Sequence, residues 1–170
     1  MTKKKSKPHS AKASWGKELK FVCDRMLGTL ARFLRILGYD TLYPEESRDA
    51  ELLFLAYTQG RVLLTRDTKM GTRISPNIFV IKSAVPEEQL KKVVKEFKLK
   101  TGENLFTRCL ECNTPLVEVE KKEVKGRVPP YVFKHHDEFA KCPKCKKYYW
   151  SGTHIERMEE RIKKWEEWMR

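Results

Sequence analysis

The chain has 170 residues, enough for one ordinary domain or for a small domain with a metal-held module, and its formal net charge is +13. No run approaches the roughly 20 apolar residues of a membrane span, and the opening MTKKKSKPHS has no apolar signal-peptide core, so a soluble, cytoplasmic protein with no membrane partner is expected. So basic a chain suits a polyanion, above all nucleic acid, because contacts to phosphates release counterions.

Residues 1–19 form the first segment. Seven lysines and one glutamate put +6 of the charge on residues 1–20, so the rest of the chain still carries +7. With Pro, Ser and Gly among the lysines and little to bury, this stretch reads as a basic arm that is disordered or ordered only by a partner. Phe21, Val22 and Cys23 are a short β-prone run, with Cys23 as a small buried hydrophobe. The run ends on Asp24 and passes into a helix with apolar residues at Met26, Leu27, Leu30, Phe33, Leu34 and Leu37. A strand feeding a helix puts Asp24 at the carboxyl edge of an open α/β sheet, where ligands bind. Asp is also a favoured helix N-cap, which is the plainer role. The opposite helix face carries Arg25, Arg32 and Arg35, a basic stripe suited to a phosphodiester or, more plainly, a solvated face.

Gly38 closes this helix, and TLYP at 41–44 is a second strand stopped by proline. A second helix over 47–60 has Ser47 as its cap, Asp49 and Glu51 in its first turn, apolar spacing through Leu52, Leu53, Leu55 and Ala56, and Gly60 as its stop. Val62, Leu63 and Leu64 make a run of the kind buried on both faces of a parallel sheet, ending on Thr65, Arg66 and Asp67. IFVI at 78–81 is a fourth strand, and 86–100 a third helix with Pro86 in its first turn. This order predicts a small parallel sheet with right-handed crossovers and its loops gathered at one edge. That edge would bring Asp24 and Asp67 together, with Asp49 or Glu51 leaning over the same crevice. Three such carboxylates would hold Mg²⁺ or Mn²⁺, and the metal would activate a water and offset charge on a phosphate. Arg66 and Lys69, beside the second acid, join Arg25, Arg32 and Arg35 as expected phosphate contacts.

From Cys109 the character changes. Four of the five cysteines form two C-x2-C pairs, Cys109 with Cys112 and Cys142 with Cys145, which in a cytosolic chain read as a closed tetrahedral structural zinc site. The 29 residues between the pairs exceed the usual ribbon spacing, so an inserted hairpin around Pro129 and Pro130 is expected. His135 and His136 lie in that insertion as substitute ligands or, more plainly, surface residues. Tyr148, Tyr149 and Trp150 suit base stacking or packing around the ribbon. A charged helix from about His154 to Arg170 has Ile155, Met158, Ile162, Trp165 and Met169 spaced to pack on a neighbour. Glutamine and asparagine together number five while lysine and glutamate dominate, a hyperthermophile pattern that points to an archaeal or thermophilic source.

Taken together, Asp24 with the G-x-L-A-R-x-L-R-x-L-G-x-D run from Gly28 to Asp40, L-L-T-R-D from Leu63 to Asp67, the two C-x2-C pairs and Y-W-x-G-x-H from Tyr149 to His154 closely resemble the Mut-seven C-terminal ribonuclease domain family. This is a PIN-like nuclease group with an attached zinc ribbon. The resemblance covers about residues 20–160. It implies an α/β fold, with a PIN-like domain at 20–107, a zinc ribbon at 108–154 and a C-terminal helix at 155–170. It also implies a metal-dependent ribonuclease core in which Asp24 and Asp67 match the family's acids, Asp49 matches the helix acid, and His154 matches the terminal histidine. Lys69 departs from PIN-like sites, which often carry a further acid there. A lysine would compete with a metal or grip a phosphate. Two functions follow. One is an endoribonuclease using Mg²⁺ or Mn²⁺ on structured or ribosomal RNA. The other is a non-catalytic RNA-binding or ribosome-associated protein that uses the same fold, ribbon and arm as contacts.

Overall fold

A computed structural model of the chain describes residues 19–70, 77–100 and 104–169, and the basic arm up to residue 18 lies outside them. The first half is an α/β unit. Strands β1 (Phe21–Cys23), β2 (Thr41–Leu42), β3 (Val62–Thr65) and β4 (Ile78–Val80) form one parallel sheet in the order β2-β1-β3-β4. Helix α1 (Gly28–Ile36) joins β1 to β2, α2 (Asp49–Thr58) joins β2 to β3, and α3 (Pro86–Phe97) follows β4.

Alternation along the central strands divides the core between the two faces of the sheet. Phe21, Cys23, Val62 and Leu64 point to the side of α1 and α3, where they meet Leu30, Leu34, Leu90 and Val93. Val22 and Leu63 point the other way, to Leu52 and Ala56 of α2. With α1 and α2 on opposite faces, the strand order reverses between β1 and β3, and in a parallel open sheet the crevice at the carboxyl ends of that pair is where a ligand fits.

Helix α1 differs from the expectation at its start. Residues Arg25–Leu27 form a 3-10 turn capped by Asp24, and only from Gly28 is the helix an α-helix. The tighter turn changes the phase of the side chains. Met26, expected in the core, is therefore 56% exposed; Arg35, expected on the basic face, is 3% exposed for a different reason, being covered by the segment at Leu110 and Glu111. Helix α2 begins one residue later than its expected cap: Arg48 precedes it, and the Glu51 carboxylate accepts from the Arg48 amide at 3.1 Å.

The second half starts with the 109–112 knuckle and an antiparallel sheet of β5 (Val117–Val119), β6 (Phe139–Lys141) and β7 (Tyr148–Trp150). The insertion is not a hairpin at the prolines. A 3-10 turn at Lys121–Val124 and the short helix α4 (Pro130–His135) fill it, because a proline at the first helical turn lacks only an amide hydrogen that has no partner there anyway. Helix α5 (Thr153–Met169) returns to the first half, burying Ile162 and Trp165 beside Phe33 of α1. No helix among the described residues is long and apolar enough to cross a membrane.

Candidate functional site

The carboxyl ends of β1 and β3 carry the acids. Asp24 is 6% exposed. Its Oδ1 accepts the Met26 amide at 2.8 Å, and its Oδ2 accepts both the Thr65 hydroxyl and the Arg66 amide, the latter at 3.0 Å. The Thr65 oxygen in turn accepts the Asp67 amide at 2.9 Å. One hydroxyl therefore links the first acid to the backbone of the second. Asp24 caps a turn, as its plainer reading has it, and also clamps the ends of two strands. Three donors leave acceptor capacity on Oδ1. The Asp67 carboxylate accepts the Lys69 amide at 2.8 Å, which closes a turn just after β3.

Asp49 is exposed in the first turn of α2, and Glu51 is occupied by its cap. The three carboxylates do not form one cluster: the four cysteines are the one group of three or more ligand side chains within a single ion's reach among the described residues. The basic set also divides. Arg25, Arg32 and Lys69 are exposed. Arg66 is half-buried, and its Nε is a buried donor with no partner among the described residues. Arg35 is no phosphate contact. Its Nε donates to Thr41 O at 2.9 Å and its Nη1 to Leu110 O and Glu111 O at 2.7 and 3.1 Å, so these donors tie the helix to β2 and the knuckle rather than to solvent.

The cysteine module has an internal two-fold repetition. In the first knuckle the Cys112 amide points at the Cys109 sulfur at 3.5 Å, and Asn113, at φ 68°, donates its amide to Cys109 O. In the second the Cys145 amide points at the Cys142 sulfur at 3.4 Å, and Lys146, at φ 64°, donates to Cys142 O. The sulfurs of Cys109 and Cys145 are 3.5 Å apart and those of Cys112 and Cys142 are 3.4 Å apart, with all four within 4.8 Å. Metal–sulfur bonds of about 2.3 Å at tetrahedral angles require separations of about 3.8 Å, so the four fit a metal ion such as zinc. Burial raises the Cys112 thiol, but hydrogen bonds with Thr114 and the neighbouring cysteines outweigh it and lower it to about 6, so a thiolate is available at neutral pH. His135 is exposed and stacks on Tyr131, away from any ligand role. The His154 side chain lies outside the described residues.

Sequence reasoning missed the groups that support both sites. Thr65 was read only as the polar end of a strand. Tyr149 was assigned to stacking or packing, yet its hydroxyl lies 3.1 Å from the Cys109 sulfur and accepts the Leu110 amide at 3.3 Å. Burial first, and then that sulfur, push its phenol above the ordinary range. The available signal was the spacing of Tyr149 four residues beyond the last cysteine.

Against known proteins, the Mut7-C RNAse domain matches residues 19–162. The chain belongs to this family. A human relative, the exonuclease mut-7 homolog, is 34% identical over 102 residues, which cover 54% of this chain and 11% of that protein. The chain thus spans only a small part of the relative's length. No solved structure matches it significantly. Membership in the Mut7-C family supports a nuclease.

Proposed function

We propose that this Mut7-C chain is a metal-dependent endoribonuclease of the PIN-like class that cuts structured or ribosomal RNA at the β1/β3 crevice, with zinc held structurally by Cys109, Cys112, Cys142 and Cys145. The observation that carries the reading is the shared Thr65 hydroxyl, which fixes Asp24 and Asp67 at the point where the strand order reverses. Mg²⁺ and Mn²⁺ suit such a pair. Mg²⁺ usually keeps several waters and is held by one or two carboxylates together with substrate phosphates, so a full protein cage is not required. Asp24 and Asp67 would hold the ion, with Asp49 at the start of α2 as a third candidate. When bound it supplies an activated water and offsets charge on the scissile phosphate. Arg25, Arg32 and Lys69 are exposed to contact the RNA, and the Arg66 amide holds Asp24 in place.

A second reading, a non-catalytic RNA-binding or ribosome-associated protein, is favoured by Asp24 itself, which is buried and already takes three protein donors. One experiment separates the two. Purified protein is incubated with a total-RNA pool with and without Mn²⁺, beside Asp24→Asn and Lys69→Asp. The nuclease reading expects cleavage that needs the metal, disappears in Asp24→Asn without loss of RNA affinity, and rises in Lys69→Asp. Tight binding with no cutting by either wild type or Lys69→Asp would replace it with the binder.

A further inference from the structure

A polar cleft of about 360 Å³ opens between the start of α1 and the first cysteine knuckle. Its size is within the range of clefts that take small ligands, about 300–1000 Å³. Gly28, Thr29, Arg32 and Arg35 line it from the helix, Tyr43 and Glu45 from the segment that follows β2, and Leu110 and Glu111 from the knuckle. It adjoins the acid junction through Tyr43. The Tyr43 hydroxyl donates to Arg25 O at 2.9 Å, one residue beyond Asp24, and burial followed by the charges of Glu45 and Asp24 raises the phenol. A β-carbon on Gly28 would lie 3.0 Å from the Tyr43 ring, so the bare glycine is what lets the helix and this aromatic wall come together.

Glu111 is paired on both of its oxygens. Arg32 Nη2 meets Glu111 Oε2 at 3.4 Å, a long contact between side chains that are 59% and 43% exposed. Lys147 holds the other oxygen, Oε1, at 3.1 Å. Such exposed ion pairs contribute little on their own, and each carboxylate oxygen can accept a second donor. A ligand edge that enters between Arg32 and Glu111 can be offered one guanidinium donor and the spare acceptor capacity of two carboxylate oxygens. Among the four RNA bases only guanine offers the complement along its pairing edge: the O6 acceptor, then the N1–H and N2–H donors. Uracil ends on an acceptor, and adenine and cytosine begin with a donor. RNA bases out of a duplex are read on this edge while their faces rest on aromatic or aliphatic walls, which Tyr43 and Leu110 provide.

We propose that the cleft between α1 and the first knuckle is a base-recognition pocket that takes an unpaired guanine of the RNA strand beside the β1/β3 crevice, with Glu111 and Arg32 as its specificity determinants. This rests on the reading of the crevice as an RNA site, but its test needs no cleavage. Zinc-loaded full-length protein is titrated with GMP, AMP, CMP and UMP while the amide NMR signals of Gly28, Thr29 and Glu111 are followed. GMP should bind at least about 10-fold more tightly than the others and move those signals, in keeping with the discrimination expected of a bidentate base contact. Glu111→Gln and, separately, Arg32→Met should abolish the preference by weakening GMP alone, and Asp24→Asn should retain it. Equal affinities, shifts confined to other residues, or no binding by any nucleotide would overturn the pocket. RNA cleavage without guanine preference would remove the pocket and leave the nuclease intact, whereas GMP selectivity in a protein that cuts nothing would do the reverse.

Discussion

Thr65 is the smallest group on which the acid junction depends. It donates to Asp24 and accepts from Asp67 while fully buried, so replacing its hydroxyl with a methyl keeps the volume but leaves a buried carboxylate and an amide each short of a partner. Thr65→Val should cost about 2 kcal/mol in urea unfolding, and Thr65→Ser should recover most of it. Asp40 is a second such group. Burial alone would raise its carboxyl, but hydrogen bonds from Arg61 and Asn113 outweigh it and hold the group below the usual range. Arg61 and Asp40 are 2.7 Å apart with side chains 8% and 19% exposed, so Asp40→Asn should cost roughly 3 kcal/mol at neutral pH by leaving Arg61 without its anion. A depressed folded pKa contributes stability that is present above the unfolded value, about 4, and is lost as pH falls through the folded value. The gap between wild type and Asp40→Asn in denaturation midpoint should therefore be full above about pH 5 and close as pH drops below about 4.

At the scale of elements, the parallel sheet and its helices were legible because the runs Phe21–Cys23 and Val62–Leu64 are apolar on both faces and the intervening segments carry helical spacing. The cysteine cluster was legible because C-x2-C is a local geometry, written within four residues. The misreadings arose where one turn changed phase or where partners lay far away in sequence. The 3-10 turn at Arg25–Leu27 rotated Met26 out, whereas Arg35 is buried because the knuckle covers its face of α1, and the acceptors there, Leu110 O and Glu111 O, lie 75 and 76 residues on. No pattern around Arg35 could show that. Tyr149 belongs to the same class, since its hydroxyl reaches Cys109 from 40 residues away. Such outer contacts to metal ligands typically contribute 10- to 100-fold in metal affinity. Tyr149→Phe should lose zinc to a chelator at roughly 10-fold lower chelator concentration, with β7 otherwise in place by hydrogen exchange.

Over the whole molecule, the first knuckle is built into the α/β unit. Asn113 Nδ2 donates to Asp40 at 2.7 Å, and its Oδ1 accepts the amide of Thr41, so a side chain from the knuckle completes the edge strand β2. Arg108 reaches Gly38 O at 3.0 Å, the Phe106 amide reaches Ile36 O at 2.9 Å, and Arg35 closes the contact from the other side. Gly38 itself, at φ 88°, has Asn104 O only 2.3 Å from where a β-carbon would stand, so the segments are in direct backbone contact. The module has little else to keep it folded, for its own core has three buried residues, Val124, Val128 and Phe139. Released from a metal, the sulfurs would take up protons and lose the bonds that join the two knuckles, and with so small a core the module would open. Chelation should then do more than unfold residues 108–150. It should withdraw the acceptors of Arg35 and the partner of Thr41, expose a buried guanidinium, and loosen the α1–β2 connection. Hydrogen exchange on the zinc-free protein should show the amides of Tyr39 and Thr41 losing protection together with those of Asn113 and Lys146, while Leu63 and Leu64 in the central strand exchange later. Unchanged protection at Thr41 after full loss of zinc would mean that the two halves are docked but energetically separate.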